Sequence, residues 1–459
     1  MAATRPPATD REMPPVAADS PPHAKRERLG FYAKRTLAGR EKWVALSGGT
    51  TESELAVAEG LDWLARHQAV NGFWSDHCLD PKFSECRCQK DAPCSGSGSS
   101  YEAAQTGLPL LAFQAAGHYY DNENRYSAAV RKGLDYLVAH QRSDGGLIGS
   151  QSPLPKQRFH SNYMYEHGIA AFALADACAA AKAAGQLPDP RYLAAAERAV
   201  RFIESQQHAD GGWRYTDVFG MPSDSSVTGW QVLALKSAGE VGIPVAESCV
   251  AQVRKFFQTR AMGRDGRTYY IDQNPGTDAM TGVGMLARQF LLSEPEAPLV
   301  HDAAGYLARQ AEKRWTFPKN RPQDIDYYLW YNCTLAMLQA GGEPWKRWNP
   351  PVRDAIVGLQ QHQGCARGSW TPVNHDGAAG GRIYSTALAL LTLEVYYRYT
   401  SPLERETGII GVNATTRDEP AAPPHDRSKG AAPSSTPQEP TGNEDRKDVH
   451  GKNSRRPGS

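Results

Sequence analysis

Between about residue 50 and residue 402 the apolar positions recur at helical spacing, broken by short gaps marked by Gly and Pro. No stretch longer than a few residues alternates as a strand would. Two kinds of helical segment take turns. The first kind keeps a polar face: AVAEGLDWLARHQ, AVRKGLDYLVAHQ, AAERAVRFIESQQ, CVAQVRKFFQTRA, DAAGYLARQAEKR and RDAIVGLQQHQG. The second kind is richer in Gly and Ala and apolar nearly all round: EAAQTGLPLLAFQAAG, MYEHGIAAFALADAC, SSVTGWQVLALKSAG, AMTGVGMLARQFLL, YYLWYNCTLAMLQAG and YSTALALLTLEVYYR. A helix with one polar face lies at a surface, whereas one that is apolar all round is buried on both sides. Six such pairs predict an all-α toroid, an (α/α)6 ring of helical hairpins, because closing the ring removes the apolar end faces that an open stack must cap.

A phrase recurs where the polar-faced helices end. QQHADGGWRYTD, HQAVNGFWSDH, HQRSDGGLIGS and HQGCARGSWTP share a Gln, a Gly and, in three of them, a Trp two residues after that Gly. The Gly stops the helix, since it tolerates the positive φ of a helix C-terminus. Its return along the chain marks an internal repeat. Residues 1–29 and 403–459 are dominated by Pro, Ala, Ser, Gly and mixed charge and are expected to be disordered tails flanking the toroid at 50–402.

Charge and composition narrow the function only slightly. With 51 Lys and Arg against 50 Asp and Glu, nothing steers the chain toward nucleic acid. The first residues contain no apolar secretory core. The most apolar run, GIAAFALADACAAAKAAG, carries Asp176 and Lys182 and reads as a soluble helix rather than a membrane span. The expectation is a cytoplasmic protein. No phosphate loop, dinucleotide fingerprint or nucleophile elbow appears, and no cofactor is expected.

The Gln-x-x-x-Gly-x-Trp phrase resembles the repeat of protein prenyltransferase β-subunits and squalene–hopene-type terpene cyclases. The last unit, GSWTPVNHDGAAGGRIYSTALALLTLEVYYRY, looks especially like uncharacterised bacterial members. The resemblance covers nearly all of the folded region. It implies that Gln68, Trp74, Gln207, Trp213, Gln363 and Trp370 tie neighbouring hairpins together, and that any chemistry lies at the starts of the inner helices. In prenyltransferases an Asp, a Cys and a His hold zinc there. Matching keeps Asp224 but puts Ser226 and Ser385 at the other two positions, so neither a central zinc nor prenyl transfer by that route is expected.

The cyclases protonate an alkene or epoxide with an Asp-x-Asp-Asp motif, which needs a dry carboxyl of raised pKa. SDSSVT aligns Asp224 with the motif's first Asp, leaving Ser226 and Val227 where the acid and its neighbour would be. Asp224 also reads as a helix cap, and capping N–H groups lower a carboxyl's pKa. QDIDYYLWYNC offers Asp324 and Asp326, with Asp326 as the first choice of acid, and Asp278 in GTDAMTGVG stands by position in support. A ligand cavity is expected to be lined by His167, Trp230, Tyr270, Tyr328, Trp330, Tyr331 and Tyr384, aromatic faces that stabilise a carbocation. Both Asp324–Asp326 and His167 have a plain alternative, as a helix start and as a hydrogen-bonded core residue.

Cys78, Cys86, Cys88 and Cys94 crowd one loop beside His77, a weak candidate metal site whose spacing matches no standard finger. Two functions stay open. One is a terpene-cyclase-like protein binding or processing an isoprenoid or other apolar small molecule, as an isomerase of the cyclase/mutase kind. The other is a non-catalytic toroid holding a lipid, peptide or protein partner. A glycosidase on a similar barrel would need two carboxylates across a cleft.

Overall fold

A computed structural model describes residues 30–75, 101–149, 162–215, 221–259, 266–271, 276–315, 324–400 and 402. The polar-faced helices are α2 (Thr51–Arg66), α4 (Ser127–Ala139), α6 (Pro190–Ser205), α8 (Glu247–Thr259), α10 (Pro298–Arg314) and α12 (Gly342–Leu359). Each is followed by an apolar partner: α3 (Glu102–Ala115), α5 (Tyr163–Ala183), α7 (Ser225–Val241), α9 (Asp278–Leu286), α11 (Tyr327–Ala340) and α13 (Asn374–Leu393). A π-helical segment, Ala287–Leu291, extends α9. The apolar helices pack in a closed circuit, α3 on α5, α5 on α7, α7 on α9, α9 on α11, α11 on α13 and α13 back on α3. Outside them α12 meets α2. The expected all-α toroid of six hairpins is the observed architecture. In α5 every residue from Met164 to Ala181 except Tyr165 is buried, as a helix enclosed on both sides requires.

The repeated turn explains why the hairpins stay in register. Gln68, Gln141 and Gln207 each use one side-chain amide to donate twice. One bond goes to the carbonyl of their own turn glycine and one to the next polar-faced helix, at Ala129 (2.8 Å), Ala195 (2.9 Å) and Cys249 (3.1 Å). The turn glycine adopts positive φ, 95° at Gly211, and a Cβ there would stand 2.0 Å from the Gln252 carbonyl of the next helix, so no other residue fits. Trp74, Trp213 and Trp370 are fully buried, and each indole N–H donates 2.8 Å to a carbonyl of the preceding polar-faced helix.

In the last repeat the structure corrects the sequence assignment. Gln360, not the exposed Gln363, bridges the Gly368 carbonyl (3.0 Å) and Ala56 (2.8 Å). Gln360 precedes Gly368 by eight residues instead of the four that separate Gln207 from Gly211, so the Gly-x-Trp end holds its register while the turn is lengthened. Ala56 lies in α2, and this bond therefore joins the last hairpin to the first.

Residues 30–47, assigned to neither tail nor ring by the sequence pattern, pack against the ring. A 3-10 turn (Gly30–Arg35) and α1 (Leu37–Ser47) lie against the C-terminal ends of the inner helices and α14 (Val395–Arg398). Arg35 is buried and bridges three elements: Asp176 on α5 (2.8 Å), the Gln114 carbonyl on α3 (3.3 Å) and the Arg398 carbonyl (3.0 Å). Tyr32 OH also donates to Asp176 (3.1 Å), and Lys34 Nζ to the Tyr399 carbonyl (2.7 Å). Although burial opposes it, the Arg35 charge holds the Asp176 carboxyl below its ordinary range. One mouth of the ring is thereby corked.

Candidate functional site

The inner helices begin at the opposite mouth. Asp224 precedes α7 and is fully buried. Its Oδ1 caps the helix by accepting from Val227 N (2.9 Å) and also accepts from Ser226 Oγ (2.6 Å). Its Oδ2 is buried and has no hydrogen-bond partner among the described residues. The capping bonds pull the pKa down, as the sequence argument supposed, but desolvation outweighs them and pushes the carboxyl up to about 6. Capping and a raised pKa therefore coexist on one residue, whose second oxygen is left without a partner.

A chain of hydroxyls leads outward from this carboxyl. Ser226 Oγ lies 3.2 Å from Tyr215 OH, which accepts from Tyr270 OH at 2.9 Å. Tyr165 stacks on Tyr215 with centroids 5.1 Å apart. Tyr165, Tyr215 and Tyr270 are each partly exposed, so they line a rim above a dry acid. The backbone explains the assembly: Ser225 N donates to the Tyr270 carbonyl (3.0 Å) and Asp224 N to that of Trp213 (3.0 Å).

Deeper in the ring, side chains of non-adjacent helices touch. Trp230 on α7 stacks against Tyr331 on α11, with centroids 5.5 Å apart and planes 13° apart. Tyr328 OH approaches the Ser226 carbonyl at 3.5 Å. Arg398 lies over both Phe172 and Tyr331. Helices α7 and α11 are separated by α9 in the circuit, so these contacts cross the bore. At this depth aromatic groups of the described residues meet across the bore.

The remaining sequence candidates have other surroundings. Asp278 turns to the outer helix α10, accepting from Tyr306 OH (2.7 Å) and pairing with Arg314 (2.6 Å). Asp326 caps α11 through Leu329 N (2.9 Å), and the Asp324 carbonyl accepts from Trp315 Nε1 (3.2 Å). Trp330 packs edge-on against Trp315, which follows α10, and so faces outward. Tyr384 is partly exposed one turn after the kink at Gly381 in α13.

His167 has a structural assignment. Its Nδ1 accepts from Leu147 N (3.0 Å) and its Nε2 meets the Ala199 carbonyl (3.1 Å). In the other repeats Thr106, Thr228 and Thr386 hydroxyls accept from the corresponding turn residue, Trp74, Trp213 or Trp370. His167 replaces that Thr, and burial lowers its pKa to about 4. It does not face the bore. Ser385 Oγ donates to the Gly381 carbonyl (3.2 Å). Cys78, Cys86, Cys88 and Cys94 lie outside the described residues.

Sequence reasoning missed Tyr165 and Tyr215. Tyr215 follows the Trp213 turn by two residues and Tyr165 opens α5, so the repeat register alone puts both at the mouth. A small pocket of about 120 Å³, lined by Glu102, Tyr136, His140, Leu147 and Gly149 among others, opens beside outer helix α4. No described helix is long and apolar enough to cross a membrane.

The family model described as the squalene-hopene cyclase C-terminal domain matches residues 43–179. A curated relative, a probable squalene–hopene cyclase of Sinorhizobium fredii (strain NBRC 101917 / NGR234), is 27% identical over 206 residues, covering 43% of this chain. The match spans only 28% of that relative's length. Among solved structures, an α-amylase from Clostridium perfringens aligns with a TM-score of 0.50 at 11% identity, covering 74% of this chain and 97% of the other. The type II terpene cyclase MstE from Scytonema aligns with a TM-score of 0.48 at 12% identity, covering 77% and 98%. At these identities the structural likeness speaks to the toroid alone.

Proposed function

We propose that this chain, a member of the terpenoid-cyclase-like toroid family, binds the end of an isoprenoid chain at the tyrosine-lined mouth and presents Asp224 to it as a proton donor. The observation that carries this reading is the state of Asp224, a buried carboxyl with an unpartnered Oδ2 and a pKa pushed up to about 6. Such a group is substantially protonated at mildly acidic pH, and its free oxygen is where the proton would be held. The partly exposed Tyr165, Tyr215 and Tyr270 would cover an apolar chain and turn electron-rich faces toward developing positive charge. The hydroxyl line from Tyr270 through Tyr215 and Ser226 reaches the other oxygen, Oδ1, and would return protons from the rim to the carboxylate there. Asp326, the first choice of acid on sequence grounds, caps α11 near the same mouth.

The direct test offers purified protein squalene and shorter polyprenyl substrates, with products read by mass spectrometry. Conversion by the wild type that falls by at least about a hundredfold in Asp224→Asn, with lipid binding retained, agrees with the proposal. Conversion that survives Asp224→Asn removes the acid role.

A second reading rests on a different observation. Trp230 and Tyr331 stack across the bore, where a long chain would have to fold away from water for cyclisation. On that reading the protein holds a lipid or partner at the mouth without turnover. Lipid that co-purifies in stoichiometric amount and is returned unchanged identifies it.

A further inference from the structure

We propose that Ser226 is a positioning residue for Asp224, holding on Oδ1 the negative charge that the acid is left with once it gives up its proton. The inference rests on the reading of Asp224 as the acid and adds a residue to it. Ser226 lies two residues after Asp224, where the cyclase motif would carry its acid. A carboxylate can only accept, so Ser226 Oγ, 2.6 Å from Oδ1, donates to it when the carboxyl is charged. With its one proton committed, Ser226 accepts from Tyr215 OH (3.2 Å), which accepts from Tyr270 OH (2.9 Å). All three hydroxyl protons then point along the line toward Oδ1, which also accepts from Val227 N (2.9 Å). The described residues give the buried Oδ2 no hydrogen-bond partner, so the support falls on Oδ1.

The ring itself does not require this pair. In α7 the side chain that accepts from the turn N–H is Thr228, two residues after Ser226. Its counterparts are Thr106, His167, Thr281 and Thr386. Two residues before those stand Ala104, Tyr165, Ala279 and Tyr384. An Ala has no hydroxyl, and a Tyr carries its own at the far end of the ring. Among these positions a short hydroxyl occurs only in the helix that Asp224 caps.

Burial and this bond oppose each other. Desolvation pushes the carboxyl up, and the Ser226 hydroxyl leads the hydrogen bonds that pull it back. The bond thus keeps a dry carboxyl acidic enough to part with its proton. Arg214, just after the Trp213 turn, pulls the same way with a permanent charge. The other groups facing Asp224 and Ser226 are Tyr215 from the same turn, Tyr165 on α5, Tyr270 before α9 and Tyr328 on α11. Burial holds Tyr165, Tyr215 and Tyr270 above the ordinary tyrosine range, so they stay neutral while Asp224 titrates.

The experiment labels the aspartate side-chain carboxyls of the full chain with carbon-13 and follows their NMR signals from about pH 4 to about pH 9. The signal missing from Asp224→Asn identifies Asp224. Ser226→Ala is expected to raise its midpoint by about one to two pH units, the worth of one hydrogen bond to a charged group. Ser226→Thr keeps the hydroxyl and is expected to titrate as the wild type does. An unshifted or lowered midpoint in folded Ser226→Ala overturns the proposal, as does a Ser226→Thr midpoint that shifts as far as that of Ser226→Ala. If Ser226→Ala does not fold, Tyr215→Phe at the partly exposed rim decides. It frees Ser226 from the line and is expected to give a smaller rise, and no rise overturns the proposal. The midpoint is read without substrate, so the two readings fail separately. A wild type that converts no polyprenyl substrate sinks the acid role and leaves the titration to judge Ser226. An unshifted midpoint in a protein that does convert one sinks the role of Ser226 alone.

Discussion

Replacing Asp224 by Asn isolates the cost of its buried charge. Asn has the same shape, keeps an oxygen to cap Val227 and accept from Ser226, and cannot ionise. In the wild type the carboxyl rises from 3.8 to about 6 on folding, chiefly through desolvation. The folded state then binds more protons than the unfolded state between those values, so stability falls as pH rises through that window and is level above it. At about 1.4 kcal/mol per pH unit, the full loss is roughly 3 kcal/mol, with about 1 kcal/mol already lost at pH 4.5. Other titrating groups are common to both proteins and cancel in the difference. Denaturant unfolding of both at a series of pH values from 4.5 to 8 should show Asp224→Asn gaining about 2 kcal/mol relative to wild type. A difference that does not vary with pH, or a wild type that gains on the variant as pH rises, would refute the desolvation argument and with it the raised acidity on which the function rests.

Two further changes test how the ring is held. Arg35→Met strands the Asp176 carboxylate in the corked mouth and should destabilise by about 3–5 kcal/mol, whereas Arg35→Met with Asp176→Leu should recover much of that loss. Thermal and denaturant unfolding of the single and double variants measures it. Gln360→Ala leaves the Ala56 and Gly368 carbonyls without their shared donor and should cost about 1–3 kcal/mol, while Gln363→Ala at an exposed position should stay within about 0.5 kcal/mol. Equal effects of the two would place the closing contact elsewhere.

The six hairpins were legible because helical period and burial pattern are local properties that the ring only has to satisfy. The repeated turn was legible for the same reason, down to Trp74, Trp213 and Trp370. The last turn was misassigned at Gln363 because its extra residues shift the Gln end while the Gly-x-Trp end stays fixed, and only the Ala56 carbonyl shows which Gln reaches across. The sequence pattern assigns residues 30–47 to neither tail nor ring, because their role depends on partners far away in sequence, such as Asp176 and Arg398. His167 looked like a cavity group because a lone His carries no sign that it stands in for a Thr. In the sequence Asp224 reads as either a cap or an acid. The balance between hydrogen bonds and desolvation is set by burial that no local pattern records.

The place of binding is open to one direct measurement. A photoactivatable benzophenone-bearing prenyl analogue, irradiated with the full chain and mapped by peptide mass spectrometry, reports the side chains it touches. The account predicts labels on Tyr165, Tyr215 or Tyr270, reduced by competing unlabelled polyprenyl substrate. Labels confined to the outer helices, or to Tyr32 and Tyr399 at the corked mouth, would contradict it.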